Sequence, residues 1–176
     1  MAHFGYAKFS GGVDFRHAEF SGIADFIFAK FSGVAHFWSA IFSGVAEFGE
    51  AKFSGEAHFD YAKFSGGASF WNALFTKEAN FFYSTIEVFG LRGCVYEKIY
   101  IDPPKSIKDY NFDEPAFYRF IKNQKDLGLP SEQVRPILLK AESARVLSLV
   151  ATAKSRANLA CNGTWALCAV KRCLNV

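Results

Sequence analysis

Phenylalanine recurs along the first half of the chain with steps that alternate five and six residues and never slip. It stands at Phe4, Phe9, Phe15, Phe20, Phe26, Phe31, Phe37, Phe42, Phe48, Phe53, Phe59, Phe64, Phe70, Phe75 and Phe81, and the next step lands on Ile86. Two residues ahead of each of these sixteen positions is a small residue, Ala in fourteen cases and Val13 and Ser84 in the others. The unit Ala-Lys-Phe-Ser-Gly is spelled out at 7–11, 29–33, 51–55 and 62–66. Steps of five and six walk around a 3.6-residue helix, so a helical reading fails. Residues two apart in extended chain face the same way. Each unit therefore reads as a very short strand with its small residue and Phe inward. Between them a polar residue such as Lys8, Asp14, Glu19, Asp25 or His36 points to water. Ser-Gly then turns the corner, with Gly tolerating positive φ and Ser bonding nearby backbone. A chain that turns the same way after every short strand winds into a solenoid.

With these motifs, residues 2–90 resemble the pentapeptide-repeat family, in which a small residue stands two before a central Leu or Phe. The resemblance implies an all-β solenoid: a right-handed quadrilateral β-helix with one unit per side and four units per coil. Every second unit here has six residues, as in a Phe-rich branch of the family, so a coil takes 22 residues. The additional residue (Gly12, Ile23, Val34, Val45, Glu56 and Gly67) widens a corner. Sixteen units give about four coils and four inward columns. Phe4, Phe26, Phe48 and Phe70 form the first, and Phe9, Phe31, Phe53 and Phe75 the second. Phe15, Phe37, Phe59 and Phe81 form the third, and Phe20, Phe42, Phe64 and Ile86 the fourth. These sixteen residues are the expected structural core.

The rhythm fades after Tyr83, and Pro103-Pro104 argues against further ladder formation. Asp113 suits a helix cap and Pro115 a first helical turn, while Phe117, Phe120, Ile121 and Leu127 recur at helical spacing before Gly128 and Pro130. A second helix is expected from about Ser131 or Pro136 to about Ala153. The predicted organisation is a β-helix over 1–90, a connecting segment over 91–112, a small α-helical C-terminal cap over 113–153, and a tail over 154–176. Residues 107–123 also resemble a segment that follows such repeats in some archaeal and bacterial relatives, several of which continue into a membrane or channel region.

Charge and composition narrow the function. Residues 1–90 carry six Lys/Arg against nine Asp/Glu, a net −3, and residues 91–176 carry fourteen against eight, a net +6. Neither makes the clustered basic footprint of a nucleic-acid binder, so nucleic acid is not an expected partner. No run reaches the roughly 18 apolar residues of a membrane span. The N-terminus lacks a signal-peptide pattern, so a cytoplasmic protein is expected, with membrane association left open by the relatives. Cys94, Cys161, Cys168 and Cys173 fit no zinc spacing and read as free thiols, with one disulfide within the tail as the alternative.

No nucleophile elbow, phosphate loop or catalytic carboxylate pair appears, so no catalytic, cofactor or metal site is assigned. In the 22-residue register Asp14, His36, His58 and Asn80 share one outward column, where any polar side chain serves. Lys8, Lys30 and Lys52 form a second outward line. Tyr6, Phe28, Trp38, Tyr61, Trp71, Phe82 and Tyr83 lie outside the core columns, and Tyr6, Phe28, Trp38, Tyr61 and Trp71 with the three lysines are the expected interaction surface. The function these features imply is a non-catalytic structural scaffold that binds an unidentified protein. The family offers two alternatives: a DNA mimic acting on DNA gyrase, or a soluble module of a membrane-associated assembly. The N-terminal strand edge has no cover in the sequence, so a homodimer through that edge is also expected.

Overall fold

The computed structural model describes residues 1–101 and 107–128, and scattered positions between 135 and 153. The first coil holds strands β1 (Ala2–His3), β2 (Lys8–Phe9), β3 (Val13–Asp14) and β4 (Glu19–Phe20). The second holds β5 (Ala24–Asp25), β6 (Lys30–Phe31), β7 (Ala35–His36) and β8 (Ile41–Phe42). The third holds β9 (Ala46–Glu47), β10 (Lys52–Phe53), β11 (Ala57–His58) and β12 (Lys63–Phe64). Beyond it come β13 (Ala68–Ser69) and then longer strands, β14 (Leu74–Phe81), β15 (Thr85–Gly90), β16 (Val95–Ile101) and β17 (Ile107–Asn111). A helix, α1 (Glu114–Asp126), follows. Each strand pairs in parallel with its equivalent one coil away, so the chain is a parallel β-solenoid with four sides.

The register is the one the Phe rhythm predicts. Ala2 lies beside Ala24, Lys8 beside Lys30, Val13 beside Ala35 and Glu19 beside Ile41, each 22 residues on. Phe rings 22 residues apart stack nearly parallel, with centroids 4.5–5.1 Å apart. Rings of neighbouring columns meet edge to face, as Phe26 and Phe37 do at 5.5 Å. Both arrangements match positive ring edges to negative ring faces. From Ala24 on, the alanines two residues earlier are buried beside them. A larger side chain there would collide with the Phe fan.

Two kinds of corner alternate, and neither works as Ser-Gly composition suggests. Four-residue turns run from Phe to Ala with the third residue at positive φ: Tyr6, His17, Phe28, Ser39, Glu50, Tyr61, Asn72 and Tyr83 lie at φ 53–62°. The turn is closed by Ala7 N–H donating to Phe4 O at 3.0 Å, and likewise by Ala18 to Phe15 and Ala29 to Phe26. None of these residues is Gly. At the Ser-Gly corners the glycines of 11, 22, 33, 44, 55 and 66 are not at positive φ. From the second coil on, at 33, 44, 55 and 66, they are there for space. A Cβ on Gly33 would lie 2.6 Å from the Gly11 carbonyl carbon, and one on Gly44 would lie 2.6 Å from that of Gly22. Serine contributes its backbone rather than its hydroxyl, with Ser32 N–H donating to Phe9 O at 2.9 Å.

The ladder does not stop near residue 90, and this corrects two expectations. Residues 95–101 and 107–111, expected within a connecting segment, are β16 on β14 and β17 on β15, and they add a further turn beyond the four predicted. The period shortens as this happens. Ala68 pairs with Phe89, Leu74 with Val95, and Ala79 with Ile99, which are offsets of 21, 21 and 20 residues. Phe89 and Ile99 therefore enter the small-residue columns, and Leu91, Tyr96 and Ile101 continue the Phe columns. The corner glycines end at Gly55 and Gly66, and Lys77 and Val88 occupy the equivalent places within the continuous strands β14 and β15. The segment containing Pro103-Pro104 lies outside the described residues.

The C-terminal end of the solenoid is covered by α1, as the helical pattern predicts. Asp113 caps it, accepting from Ala116 N–H, and Pro115 sits in the first turn. Phe117 and Phe120 are buried against the last coil, with Phe120 5.5 Å from the Tyr110 ring. Side chains from α1 and its cap also satisfy the open strand edge. Asp113 accepts from Gly93 N–H at 2.9 Å, and Arg119 donates to Cys94 O. Asn123 accepts from Ile99 N–H at 3.1 Å and donates to Ile99 O at 2.7 Å. Its amide stands in for one residue of a further strand. The described positions between 135 and 153 are helical, and the predicted tail with Cys161, Cys168 and Cys173 lies outside the described residues. Cys94 is a free, buried thiol, and burial pushes its pKa up to about 12. At the other end Phe4, Phe9 and Phe15 are only half-buried.

Two outcomes check this account. Gly44→Ala should lower stability by about 1–3 kcal/mol because the new methyl meets backbone. Gly11→Ala, where a Cβ meets nothing within 4 Å, should leave the thermal midpoint nearly unchanged. Asn123→Ala should cost about 1–3 kcal/mol by leaving the Ile99 N–H and C=O unpaired, read by urea unfolding, whereas Lys122→Ala beside it should be neutral.

Candidate interaction surface

With the inward positions committed to Phe and Ala, chemistry is confined to the outward residue of each strand and to the positive-φ corners. These corners recur every eleven residues, so they form two lines on opposite edges of the solenoid. Along one edge the rings of His17, Trp38, Tyr61 and Tyr83 make a continuous ridge. His17 and Trp38 meet edge to face at 4.8 Å, Trp38 and Tyr61 at 5.7 Å, and Tyr61 and Tyr83 stack at 4.9 Å. Trp38 is 38%, Tyr61 52% and Tyr83 63% exposed. An L-residue in the left-handed region costs roughly 1–2 kcal/mol. This edge nevertheless holds His17, Tyr61 and Tyr83 there, where Gly or Asn would sit without strain.

The opposite edge is shorter in aromatic content. Tyr6 and Phe28 stack at 4.8 Å. Glu50 and Asn72 continue the line, and Trp71 packs its ring over Gly49, close to where a Cβ there would stand. The predicted aromatic residues are thus split: Trp38 and Tyr61 share one ridge, and Tyr6, Phe28 and Trp71 belong to the other edge. The ridge members His17 and Tyr83 fall outside the predicted interaction set. Their signal was the eleven-residue spacing of the residue two after each first- and third-column Phe.

Beside the longer ridge lies the polar column Asp14, His36, His58 and Asn80, in register across four coils. The His36 and His58 rings stack at 5.3 Å. His58 Nε2 lies 3.2 Å from Glu56, and its Nδ1 lies 3.6 Å from Asp60 and 3.4 Å from Asn80. Asp14 accepts from Arg16 Nη2 at 2.6 Å and from Arg16 N–H at 2.9 Å. These bonds hold the Asp14 carboxyl down at about 2, against an ordinary 3.8. Among the described residues no group of three or more His, Cys, Asp or Glu is placed to hold a metal ion. Lys8, Lys30 and Lys52 stand in direct register on another side, all exposed.

Residues 37–85 match a family model described as pentapeptide repeats, nine copies. Within the four-sided solenoid, residues 37–85 are thus similar to pentapeptide repeats. Neither a curated protein nor a solved structure matches the chain. The matched residues include Trp38 and Tyr61 of the ridge, together with His58 and Lys52. Residues before 37 and strands β16 and β17 after 85 carry the same parallel architecture on either side of the match. No helix among the described residues is long and apolar enough to cross a membrane.

The Asp14–Arg16 pair gives this surface a titration signature. A depressed carboxyl pKa means that the ionised pair is complete above the ordinary value and is lost as pH falls through about 2. A carbon-detected NMR titration should place the Asp14 midpoint about 2, and Arg16→Ala should move it up toward 3.8. A parent midpoint already at 3.8 would contradict the bidentate geometry.

Proposed function

We propose that this pentapeptide-repeat solenoid is a non-catalytic scaffold that binds another protein through its outer surface, with the His17–Trp38–Tyr61–Tyr83 ridge as the docking line. The observation that carries this reading is the continuity of the ridge. Four ring-bearing residues from successive coils touch one another, remain open to solvent, and are held on a backbone whose core is a close-packed ring stack. Tyr and Trp are the side chains that dominate protein interfaces, because they bury large area at little loss of rotamer freedom. A rigid ladder reduces that loss further. A gyrase-directed DNA mimic would want acidic columns running the length of the rod. Two of the four outward columns here instead carry Lys8-Lys30-Lys52 and Asp14-His36-His58-Asn80, and the carboxylates of a third are confined to Asp25 and Glu47.

A photoreactive Phe analogue placed at Tyr61 should cross-link one discrete protein in cells. The same analogue at Thr85, on a neighbouring side, should not. A Trp38→Ala, Tyr61→Ala double variant should keep its thermal midpoint within a few degrees and lose that cross-linked partner when the analogue is moved to Tyr83. Equal cross-linking from both positions, or a partner indifferent to the double variant, would sink the proposal.

A further inference from the structure

A second side of the rod carries a different pattern. The outward residues of β2, β6, β10, β14 and β16 form one column: Lys8, Lys30, Lys52, Leu74 and Val95. The first three are basic and exposed, Leu74 is half-buried, and Val95 is 46% exposed. No carboxylate lies within 4 Å of the three lysine ammoniums among the described residues. Elsewhere on the solenoid the same cross-coil register is used to pair charges, as Lys98 does with Glu78 and Lys108 with Glu87. Like charges directly opposite in adjacent strands are destabilising. The basic column therefore forgoes a compensation that this fold uses two coils further on. The neighbouring outward column, Ser10, Ser32, Ser54 and Thr76, is exposed and small, so it leaves the lysine column open from that flank.

We propose that this side receives an amphipathic α-helix of a partner protein laid along the solenoid axis, its acidic turns on Lys8, Lys30 and Lys52 and its apolar turns on Leu74 and Val95. The proposal shares with the scaffold reading only the premise that the partner is a protein, and it uses a different side of the rod from the aromatic ridge. Pitch favours a helix as the occupant. Equivalent residues of stacked strands recur every ~4.8 Å, and a helix brings one residue per turn to the same stripe every ~5.4 Å. Over the four steps from Lys8 to Val95 the mismatch is about 2.4 Å, within the reach of a lysine side chain. An extended segment presents same-side residues every ~6.8 Å and would be out of register by about 8 Å over the same distance. The apolar end separates this partner from a plain polyanion, for which Leu74 and Val95 offer nothing.

The test uses the full chain and a fluorescein-labelled peptide of about 18 residues, long enough to span five turns. It carries Glu on one stripe for three turns and Leu on the same stripe for two, in an Ala/Gln background. Fluorescence anisotropy should show saturable binding that weakens as salt rises. A scrambled peptide of identical composition should bind at least ~10-fold more weakly. Lys30→Glu should weaken binding ~10-fold or more, Lys30→Gln by less, and Leu74→Ser by several-fold, since reversing a contact charge replaces attraction by repulsion. None of the three variants should melt below the parent by more than a few degrees, and Lys30→Glu, set between Lys8 and Lys52, should melt at or slightly above it. The Trp38→Ala, Tyr61→Ala variant should bind the peptide unchanged, which separates this face from the ridge. Absence of saturable binding, equal binding of the scrambled peptide, or indifference to Lys30→Glu would overturn the proposal. So would inorganic polyphosphate that displaces the peptide and binds the Leu74→Ser variant as tightly as the parent, because that result describes a polyanion site.

Discussion

Parallel backbone hydrogen bonding from one coil to the next is the constraint from which the rest of this structure follows. Rungs such as Phe26 N–H to Glu47 O at 2.8 Å and Lys30 N–H to Ala7 O at 2.8 Å lock each residue beside its equivalent 22 positions away. Once that register exists, every side chain has a copy of its own position above and below it at strand spacing. Phe on Phe is then a favourable stack, Ala on Ala a tolerated one, and Gly on Gly the only fit where two corners touch. The same rule turns the surface into columns, so a sequence preference at one outward position becomes a line of chemistry along the rod.

The core was legible because the stacking rule leaves a periodic trace. The five-six spacing of Phe, with a small residue two ahead, placed all sixteen inward residues in the right columns. The corners were not legible, since Ser-Gly composition points to positive φ at Gly. The backbone instead puts Tyr6, Phe28, Glu50 and Tyr61 there and uses the glycines for close approach. Nothing in a single unit separates a glycine kept for its φ from one kept for its missing Cβ. That distinction appears only when Gly33 is seen against the Gly11 carbonyl. The last turn was hidden for another reason. A change of period from 22 to 21 and then 20 puts Phe89 and Ile99 in columns where Ala had been the signal, so a fixed template steps past them. Of the site, the aromatic and lysine residues could be named from sequence. Their division between two edges and one side could not, because it depends on which corner each residue occupies.

The two ends of the solenoid show how the ladder is terminated. At the C-terminal end two of the small-residue columns are filled by large side chains, Phe89 and Ile99, while Cys94 continues a third. The helix then supplies both apolar cover, through Phe117 and Phe120, and polar partners for edge groups, through Asp113, Arg119 and Asn123. Apolar cover alone would leave the Gly93 and Ile99 amides buried without partners, which is why the polar residues of α1 are placed on its packed face.

The alternation of corner types has a geometric consequence. Strained and glycine corners follow each other every five or six residues, so half a coil, eleven residues, is the true unit. The solenoid is related to itself by a half-turn combined with a half-coil advance. Opposite sides of the rod are interchangeable as far as the interior is concerned. Insertion or loss of eleven residues would leave every Phe, Ala and Gly in a valid column while carrying all outward residues beyond that point to the far side. The interior thus treats as equivalent two arrangements that a binding partner would meet as different molecules. Which side carries the lysines and which edge carries Trp38 is a property of chain length in half-coil steps, independent of the stability of the core.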